Sequence, residues 1–233
     1  HDEPPIYYSI FNETFNLPRA ILYSTTTERD FVNKRFKNDY IESDIVGLGV
    51  DINENAQDID LEKTFGIKDD YVVYVGRIDE SKGCKEMFEY FLEYKKAYGS
   101  NLKLVLAGKS AMEIPRNKDI VTLGFVSEDE KVNLIKKSKL LILPSKFESL
   151  SLSTLEAMYL KVPVLLNGKC EVLKQHAILS NGGLYYENKW EFLETLNYLI
   201  GNFEIAERMG ENGRKYVNEN YKWDVIIKKL KET

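Results

Sequence analysis

Short apolar runs alternate with amphipathic stretches along the chain from residue 71 onward. The apolar runs predict six buried strands, and they are YVVYVG, LKLVLAG, DIVTLGFV, LLILPS, VPVLLNG and GLYY. The clearest amphipathic stretch covers residues 83–98, where Met87, Phe88 and Phe91 fall near one helical face. Strands that alternate with helices predict a parallel sheet, because parallel strands need crossover connections.

This alternation predicts an α/β fold built on a Rossmann-like, doubly wound parallel sheet with helices on both faces. Ligands in such sheets bind at the carboxyl ends of the strands. The stretch 204–231 has no strand-like run and predicts two or three C-terminal helices, with breaks near Gly210 and Gly213 and before Trp223.

Residues 1–50 follow a different pattern. RAILYS and DIVGLGV predict two strands, and a threonine run before residues 27–36 predicts a helix between them. Because two strands alone do not make a stable sheet, we interpret residues 1–50 as a terminal fragment of another domain. The polar stretch DINENAQDID lies in a predicted linker over residues 51–68, and residues 69–233 are predicted to form one domain with C-terminal helices.

Composition limits the expected cellular location and the expected binding partners of the chain. The chain has 233 residues, 43% of them hydrophobic, which is enough for a sizeable core. A net charge of -5 gives no basic field for polyanions, so we expect no nucleic-acid partner. Two cysteines are too few for a disulfide framework, and no apolar run approaches the roughly 20 residues of a membrane span. We therefore expect a soluble, cytoplasmic setting.

The first candidate site is the segment VGRIDESKG, which follows the first strand of the regular pattern. Gly76, Arg77 and Lys82 lie in the loop before the predicted helix. A glycine that allows close approach, free helix-start N–H groups and two cations together favour an anion such as a diphosphate. The alternative is a solvated loop with an incidental Arg and Lys.

The second candidate site is the segment PSKFESLSLSTLEAM. A buried strand ends at Pro144, a loop carries Glu148, and a helix is predicted to start near Ser151 with Glu156 in its first turns. Helix-start N–H groups suit phosphate, and a carboxylate accepts hydrogen bonds from paired sugar hydroxyls. The alternatives are a capping box between Ser153 and Glu156, and an exposed loop acid at Glu148.

The ordered segments VGRIDESKG, VLAGKS, LGFVSEDE, PSKFESLSLSTLEAM, VPVLLNG and GGLYY resemble retaining glycosyltransferases of family four, or glycosyl transferases group 1. The resemblance covers most of residues 45–225, and its most specific element is the pair of glutamates separated by seven residues. It implies the GT-B fold of two facing Rossmann-like domains, with this chain carrying the C-terminal, donor-binding one. It also implies a metal-independent, retaining hexosyltransferase without a cofactor.

The resemblance assigns Arg77 and Lys82 to the donor diphosphate, Glu148 to the transferred sugar and Glu156 to the nucleotide ribose. Arg77, Lys82 and Glu148 are the predicted catalytic residues. The predicted donor-binding set is Gly76, Arg77, Lys82, Lys109, Phe125, Val126, Glu148, Ser149, Leu150, Ser151, Leu152 and Glu156. Many family members carry glycines after the first glutamate, whereas this chain has serines, which narrows the allowed backbone angles.

The two histidines are interpreted differently. The family's acceptor-binding half places a histidine near the reacting sugar, and His1 is the candidate for that position. The alternative is a tag remnant or an accident of where the sequence begins. His176 lies in a predicted helix after VPVLLNG, and we interpret it as structural.

The resemblance implies a nucleotide-diphosphate sugar donor of the UDP, GDP or ADP type, and an acceptor glycan or lipid-linked sugar. The expected process is polysaccharide or glycolipid assembly, and its expected location is the cytoplasm or the inner face of the membrane. The alternatives are a nucleotide-sugar-binding module without turnover and a nucleotide-sugar epimerase.

Two other patterns in the sequence correspond to different kinds of site. Asp58 and Asp60 match the Asp-x-Asp motif of metal-dependent transferases, but we interpret Asp60 as a helix N-cap. A dinucleotide-binding fingerprint is incomplete, because Ile52 stands where its third glycine belongs after Gly47 and Gly49. We therefore expect neither a metal nor a nicotinamide cofactor.

Overall fold

A computed structural model describes residues 5–53 and 55–232, with side chains from residue 11 onward. His1, the acceptor-side candidate, lies outside the described residues. The elements are α1 (Pro5–Asn16), β1 (Ala20–Tyr23), α2 (Thr26–Phe36), β2 (Glu42–Ile45), α3 (Leu61–Phe65), β3 (Tyr71–Val75), a 3-10 turn (Glu80–Lys82), α4 (Cys84–Tyr98), β4 (Lys103–Ala107), β5 (Ile120–Gly124), α5 (Glu128–Lys136), β6 (Leu141–Leu143), α6 (Leu152–Tyr159), β7 (Val164–Asn167), α7 (Glu171–Ser180), β8 (Gly183–Tyr186), α8 (Lys189–Gly201), α9 (Phe203–Asn220) and α10 (Trp223–Glu232).

The centre of the chain is a six-stranded sheet with the strand order β5-β4-β3-β6-β7-β8, and all its strands are parallel. Every apolar run predicted as a strand from residue 71 onward forms one, so the predicted α/β fold class is confirmed. β6 and β7 are buried at every position, as expected for central strands covered by helices on both faces. The register pairs Val73 with Val105 on one side and with Leu141 on the other.

The predicted amphipathic helix is α4. Its buried residues recur every three or four positions and form a single stripe: Cys84, Met87, Phe88, Phe91 and Tyr94. Glycines with positive φ flank the helix at both ends, since Gly83 has a φ of 76° and Gly99 a φ of 60°. This arrangement fixes where the helix begins, one residue after the loop that follows β3.

The first part of the chain forms a small sheet of its own. β1 and β2 pair in parallel, and the helix between them is α2, close to its predicted bounds. The second strand was predicted over DIVGLGV, but β2 ends at Ile45. That prediction was wrong in extent, because Gly47 has a φ of 82°, which is not a strand conformation. The helix α1 was not predicted.

The C-terminal helices correct another prediction. α9 runs without interruption through Gly210 and Gly213, so the predicted breaks at these glycines are wrong, whereas the break before Trp223 is confirmed. A Cβ at Gly210 would lie 2.0 Å from the Lys161 carbonyl oxygen, and one at Gly213 would lie 3.0 Å from the Met158 side chain. The glycines therefore serve close helix packing and do not end the helix.

The first part of the chain packs against these C-terminal helices. The Val50 amide donates to the Tyr221 carbonyl oxygen at 2.8 Å. At Gly49, a Cβ would lie 2.3 Å from the Trp223 ring, so the chain passes directly over the start of α10. The segment that connects β2 to the large sheet is therefore held by Tyr221 and Trp223.

Two expectations from composition bear on the described residues. Cys84 and Cys170 are both buried as free thiols. Within residues 5–53 and 55–232, none of the helices combines the length and the apolar character needed to cross a membrane.

Candidate functional site

The strand order reverses between the central strands β3 and β6, and in doubly wound sheets such a reversal opens a crevice at the carboxyl ends of the strands. β3 is followed by β4 and β5 on one side, and the chain then returns to place β6 on the other side of β3. The loops after β3 and β6 therefore diverge from neighbouring strands, which is where doubly wound sheets bind ligands. These two loops are the two candidate segments identified in the sequence.

The loop after β3 is a tight turn held by a side chain of its own strand. Gly76 has a φ of 150°, and the Tyr74 hydroxyl donates to the Arg77 carbonyl oxygen at 2.7 Å. The Arg77 side chain is 61% exposed, and its Nε lies 3.6 Å from Asp79 Oδ2. The backbone of this turn is thus fixed while the guanidinium remains at the surface of the crevice.

Lys82 joins this loop to the one after β6. Its Nζ donates to Glu148 Oε1 at 2.8 Å, with the two side chains 34% and 16% exposed. The two loops approach so closely here that a Cβ at Gly83 would lie only 2.3 Å from the Pro144 carbonyl oxygen. Asn167, at the end of β7, donates to that same carbonyl at 2.8 Å. Glu148 is therefore a largely buried, paired carboxylate, and its interpretation as an exposed loop acid is wrong.

The second loop leads into the helix α6 through an unusual residue. Ser151 has φ 65° and ψ 78°, a left-handed conformation that costs a residue with a Cβ roughly 1–2 kcal/mol. Its hydroxyl lies 2.8 Å from the Thr154 hydroxyl and does not cap the helix. The first N–H groups of α6 therefore lack a side-chain cap, and such a helix start attracts anions.

Glu156, inside α6, is paired with a lysine of α5. Lys131 Nζ lies 2.9 Å from Glu156 Oε1 and 2.8 Å from Glu128 Oε2. Burial raises the pKa of Glu156 above its usual value, and Lys131 opposes this rise. Burial also lowers the pKa of Lys131, but its hydrogen bonds to both glutamates outweigh burial and leave that pKa raised. Because its carboxylate is engaged by Lys131, the interpretation of Glu156 as a capping-box partner of Ser153 is wrong.

The remaining predicted contacts lie after β4 and β5. The Ile78 amide donates to the Lys109 carbonyl oxygen at 2.9 Å, so the loop after β4 runs beside the loop that carries Arg77. The side chain of Lys109 is exposed. Phe125 is 80% exposed, whereas Val126 packs against the core. Lys109 and Phe125 are thus available at the carboxyl end of the sheet, and their predicted contact with a base stays a prediction.

Sequence reasoning missed two residues that hold this site. The Thr25 hydroxyl donates to the Ser149 carbonyl oxygen at 3.2 Å, and Lys131 holds Glu156. Each contacts a partner far away along the chain, so no local pattern marks it. Thr25 also caps α2, and that role is the only one its sequence neighbourhood indicates.

The two carboxylates of the Asp-x-Asp segment contact different partners. The Asp60 carboxylate accepts from the Glu62 and Lys63 amides at 3.1 Å, so the predicted N-cap is confirmed. Asp58 pairs with Lys137 at 2.7 Å. Across the described part of the chain, no group of three or more His, Cys, Asp and Glu side chains is arranged to hold a metal ion.

Solved structures share this fold. The structure resembles Anabaena Alr3699/HepE in complex with UDP and glucose, with a TM-score of 0.83, 14% identity and coverage of 99% of this chain and 67% of that one. It also resembles sucrose-phosphate synthase from Thermosynechococcus elongatus, with a TM-score of 0.82, 15% identity and coverage of 99% and 61%. At these identities the likeness establishes the fold, which is that of GT-B glycosyltransferases.

The family follows from the sequence itself. The family described as glycosyl transferases group 1 matches residues 57–216, which is more than half of the chain. The chain belongs to this family, as its motifs predicted.

Curated relatives agree with this assignment. The chain is 27% identical over 194 residues to the uncharacterized glycosyltransferase MJ1607 of Methanocaldococcus jannaschii, which covers 76% of this chain and 48% of the relative. It is 24% identical over 176 residues to the capsular polysaccharide biosynthesis glycosyltransferase CapM of Staphylococcus aureus, covering 70% and 46%. The chain therefore spans about half the length of these relatives.

Proposed function

We propose that this chain binds a nucleotide-diphosphate sugar in the crevice between the loops after β3 and β6, as the donor part of a retaining glycosyltransferase. In this proposal residues 69–233 are the donor-binding domain, residues 51–68 the linker and residues 1–50 the end of an acceptor-binding domain. The acceptor is a glycan or a lipid-linked sugar, and the product enters a polysaccharide or a glycolipid.

The observation that carries the proposal is the meeting of Lys82 with Glu148 across the crevice, beside the exposed guanidinium of Arg77. Two cations next to an uncapped helix start suit a diphosphate. A carboxylate at the same place offers acceptor oxygens to sugar hydroxyls. A single crevice thus presents both kinds of group that a nucleotide sugar requires.

Two comparisons support particular parts of the proposal. The similar structure of Alr3699/HepE holds UDP and glucose, which favours a nucleotide-sugar donor. The relative CapM is named for capsular polysaccharide biosynthesis, which favours a glycan product.

The proposed chemistry needs charge stabilisation more than covalent participation. The bond between the anomeric carbon and the diphosphate oxygen breaks, and its electron pair stays on the diphosphate. The acceptor hydroxyl attacks the same face of the sugar, and its proton passes to the departing phosphate oxygen. Arg77, Lys82 and the amides at the start of α6 stabilise the developing negative charge without a metal. Glu148 orients the sugar.

Donor binding is tested on this chain by thermal unfolding with UDP-, GDP- and ADP-hexoses. At least one donor should raise the unfolding temperature, because it binds the folded state. Arg77→Ala and Glu148→Ala should each weaken binding about tenfold, or about 1.4 kcal/mol. The control is Lys96→Ala, whose side chain is 74% exposed and pairs with Glu93. Equal binding by all variants would contradict the site.

Transfer is tested in a polypeptide that joins this chain to an acceptor-binding half. NMR of the product should show the anomeric configuration of the donor, and Arg77→Ala and Glu148→Ala should lower turnover about a hundredfold. An inverted product rules out retention, and full turnover in both variants rules out the assigned roles. A changed nucleotide sugar without an acceptor would instead indicate an epimerase.

A further inference from the structure

A buried histidine lies directly behind the second loop. His176, on α7, is 2% exposed, and its Nε2 is 2.8 Å from the Leu150 carbonyl oxygen. Its Nδ1 is 3.1 Å from the Tyr216 hydroxyl, which lies 3.2 Å from the Tyr221 hydroxyl. The three side chains form one hydrogen-bonded row from the loop to the end of α9.

The chemistry of the partners fixes the direction of this row. A carbonyl oxygen only accepts, so Nε2 of His176 carries the hydrogen. Burial lowers the pKa of His176, which favours the neutral ring, although the bond to Leu150 opposes this. In the neutral ring with its hydrogen on Nε2, Nδ1 is an acceptor. The Tyr216 hydroxyl must then donate to Nδ1, and it accepts from Tyr221. Each tyrosine hydroxyl thereby helps to hold a single tautomer.

The same loop is held from a second side. The Ser149 carbonyl accepts from the Thr25 hydroxyl at 3.2 Å, so two consecutive carbonyls are both engaged. In a trans peptide the carbonyl and the following N–H point in opposite directions. The Leu150 and Ser151 N–H groups therefore face away from the residues that hold the carbonyls. Neither N–H has a hydrogen-bond partner among residues 5–53 and 55–232.

We propose that His176 is a positioning residue that turns the Leu150–Ser151 peptide so that the Ser151 N–H is presented to the donor diphosphate. This role rests on the proposed function of the crevice. It also accounts for Ser151, because a left-handed residue with a Cβ persists only where its surroundings hold it. His176 acts through the peptide and does not itself touch the donor.

The row continues to the first part of the chain. The Tyr221 carbonyl accepts from the Val50 amide, and a Cβ at Gly47 would lie 3.4 Å from the Tyr221 ring. The peptide that faces the diphosphate is thus connected to the segment between β2 and the large sheet. We expect a shift of that segment to change the conformation of the loop after β6, through Tyr221 and Tyr216.

Two amide variants separate the contacts of His176. His176→Gln places its NH₂ the same number of bonds from Cα as Nε2, so it still donates to Leu150. His176→Asn places its amide where Nδ1 stands, so it reaches Tyr216 but not Leu150. The two side chains share one chemical group, and they differ in which partner they reach.

The first measurement is hydrogen exchange of the Leu155 amide in the unliganded chain, because this N–H donates to the Ser151 carbonyl oxygen at 3.3 Å. Exchange there should rise about tenfold in His176→Asn and stay within about threefold of wild type in His176→Gln. If the two variants exchange alike, the proposal is overturned. A purely structural role would change exchange throughout α7 and α9 with no excess at Leu155, which also overturns it.

The second measurement is the affinity of the chain for UDP, GDP and ADP. His176→Asn should weaken the bound nucleotide about tenfold, and His176→Gln should restore affinity to within about threefold. Equal affinity for His176→Asn and wild type overturns the proposal. If wild type binds none of the nucleotides, the proposed function fails, while the exchange experiment still decides the role of His176.

A further variant covers the case in which His176→Asn does not fold. Tyr216→Phe keeps the imidazole but removes the hydroxyl that contacts its Nδ1. Exchange of the Leu155 amide should then rise about threefold, with exchange in the sheet unchanged. Unchanged exchange of this amide contradicts the proposal.

Discussion

Lys82 Nζ and Glu148 Oε1 lie 2.8 Å apart although 66 residues separate them in the sequence. The pair connects the loops after β3 and β6, on either side of the point where the strand order reverses. Glu148 is thus paired with the lysine that we assign to the diphosphate. Donor binding requires this lysine to exchange a carboxylate for phosphate oxygens, or to contact both.

Substitution of Glu148 should therefore affect bare nucleotide and nucleotide sugar differently. Glu148→Gln should bind the nucleoside diphosphate as well as wild type or up to about threefold more tightly, since Lys82 is freed. It should lose about tenfold in affinity for the nucleotide sugar, because the carboxylate no longer receives the sugar hydroxyls. Lys82→Met is the matched comparison and should weaken both ligands. Isothermal titration of the four combinations tests this, and equal losses for both ligands in Glu148→Gln would contradict it.

The close approach of the two loops should depend on Gly83. Gly83→Ala adds a Cβ 2.3 Å from the Pro144 carbonyl oxygen at a φ of 76°, and should lower the free energy of unfolding by about 3 kcal/mol or more. Gly99→Ala is the control, because its φ is 60° and nothing lies within 4 Å of the new Cβ. It should cost only about 1 kcal/mol of backbone strain. Urea unfolding of both variants measures the difference, and equal losses would mean that the loops do not press together.

The pair between Lys131 and Glu156 should make stability depend on pH. A carboxyl group whose folded pKa is raised stabilises the fold below its unfolded pKa, and that contribution is lost as pH rises through the folded value. Lys131→Met should raise the pKa of Glu156 further. The variant should therefore lose about 2 kcal/mol near neutral pH and less at about pH 5.

Urea unfolding at the two pH values checks this expectation for Lys131→Met. The control is the double variant with Glu156→Gln, which removes the titrating group and should show no such pH dependence. A loss of stability in Lys131→Met that is the same at both pH values would show that Glu156 is not the group responsible.

The Asp-x-Asp segment should act through helix capping. Asp60→Ala removes an acceptor for two amides at the start of α3 and should lower the free energy of unfolding by about 1 kcal/mol. Asp58→Ala removes an exposed carboxylate and should have a smaller effect. A chelator such as EDTA should leave donor affinity unchanged. Donor binding that disappears with EDTA and returns with a divalent cation would contradict a metal-independent site.

The strands, their direction and the family could all be predicted from the amino-acid sequence. Continuous apolar runs between amphipathic stretches can be buried only as a parallel sheet covered by helices, so the six strands were predicted close to their observed bounds. The caps of α2 and α3 also follow from local sequence, because a cap contacts residues within one turn. The order of motifs identified the family without any coordinates.

Local pattern failed where a residue serves a distant neighbour. Gly210 and Gly213 resemble helix breaks, yet they lie inside α9 because α6 and the turn after it approach too closely for a side chain. Glu156 has the spacing of a capping box, yet Lys131 holds it. In both cases a tertiary contact outweighed the local preference.

Which charged side chains pair, and how the peptides of the loop after β6 are oriented, depends on the tertiary structure. The strand order places Glu148 beside Lys82, and the packing of α7 places His176 behind Leu150. Residues this far apart along the chain have no periodicity that relates them, because their contact depends on how each crossover returns to the sheet. The types of groups in the crevice were therefore predictable from sequence, and their pairing was fixed only by the folded sheet.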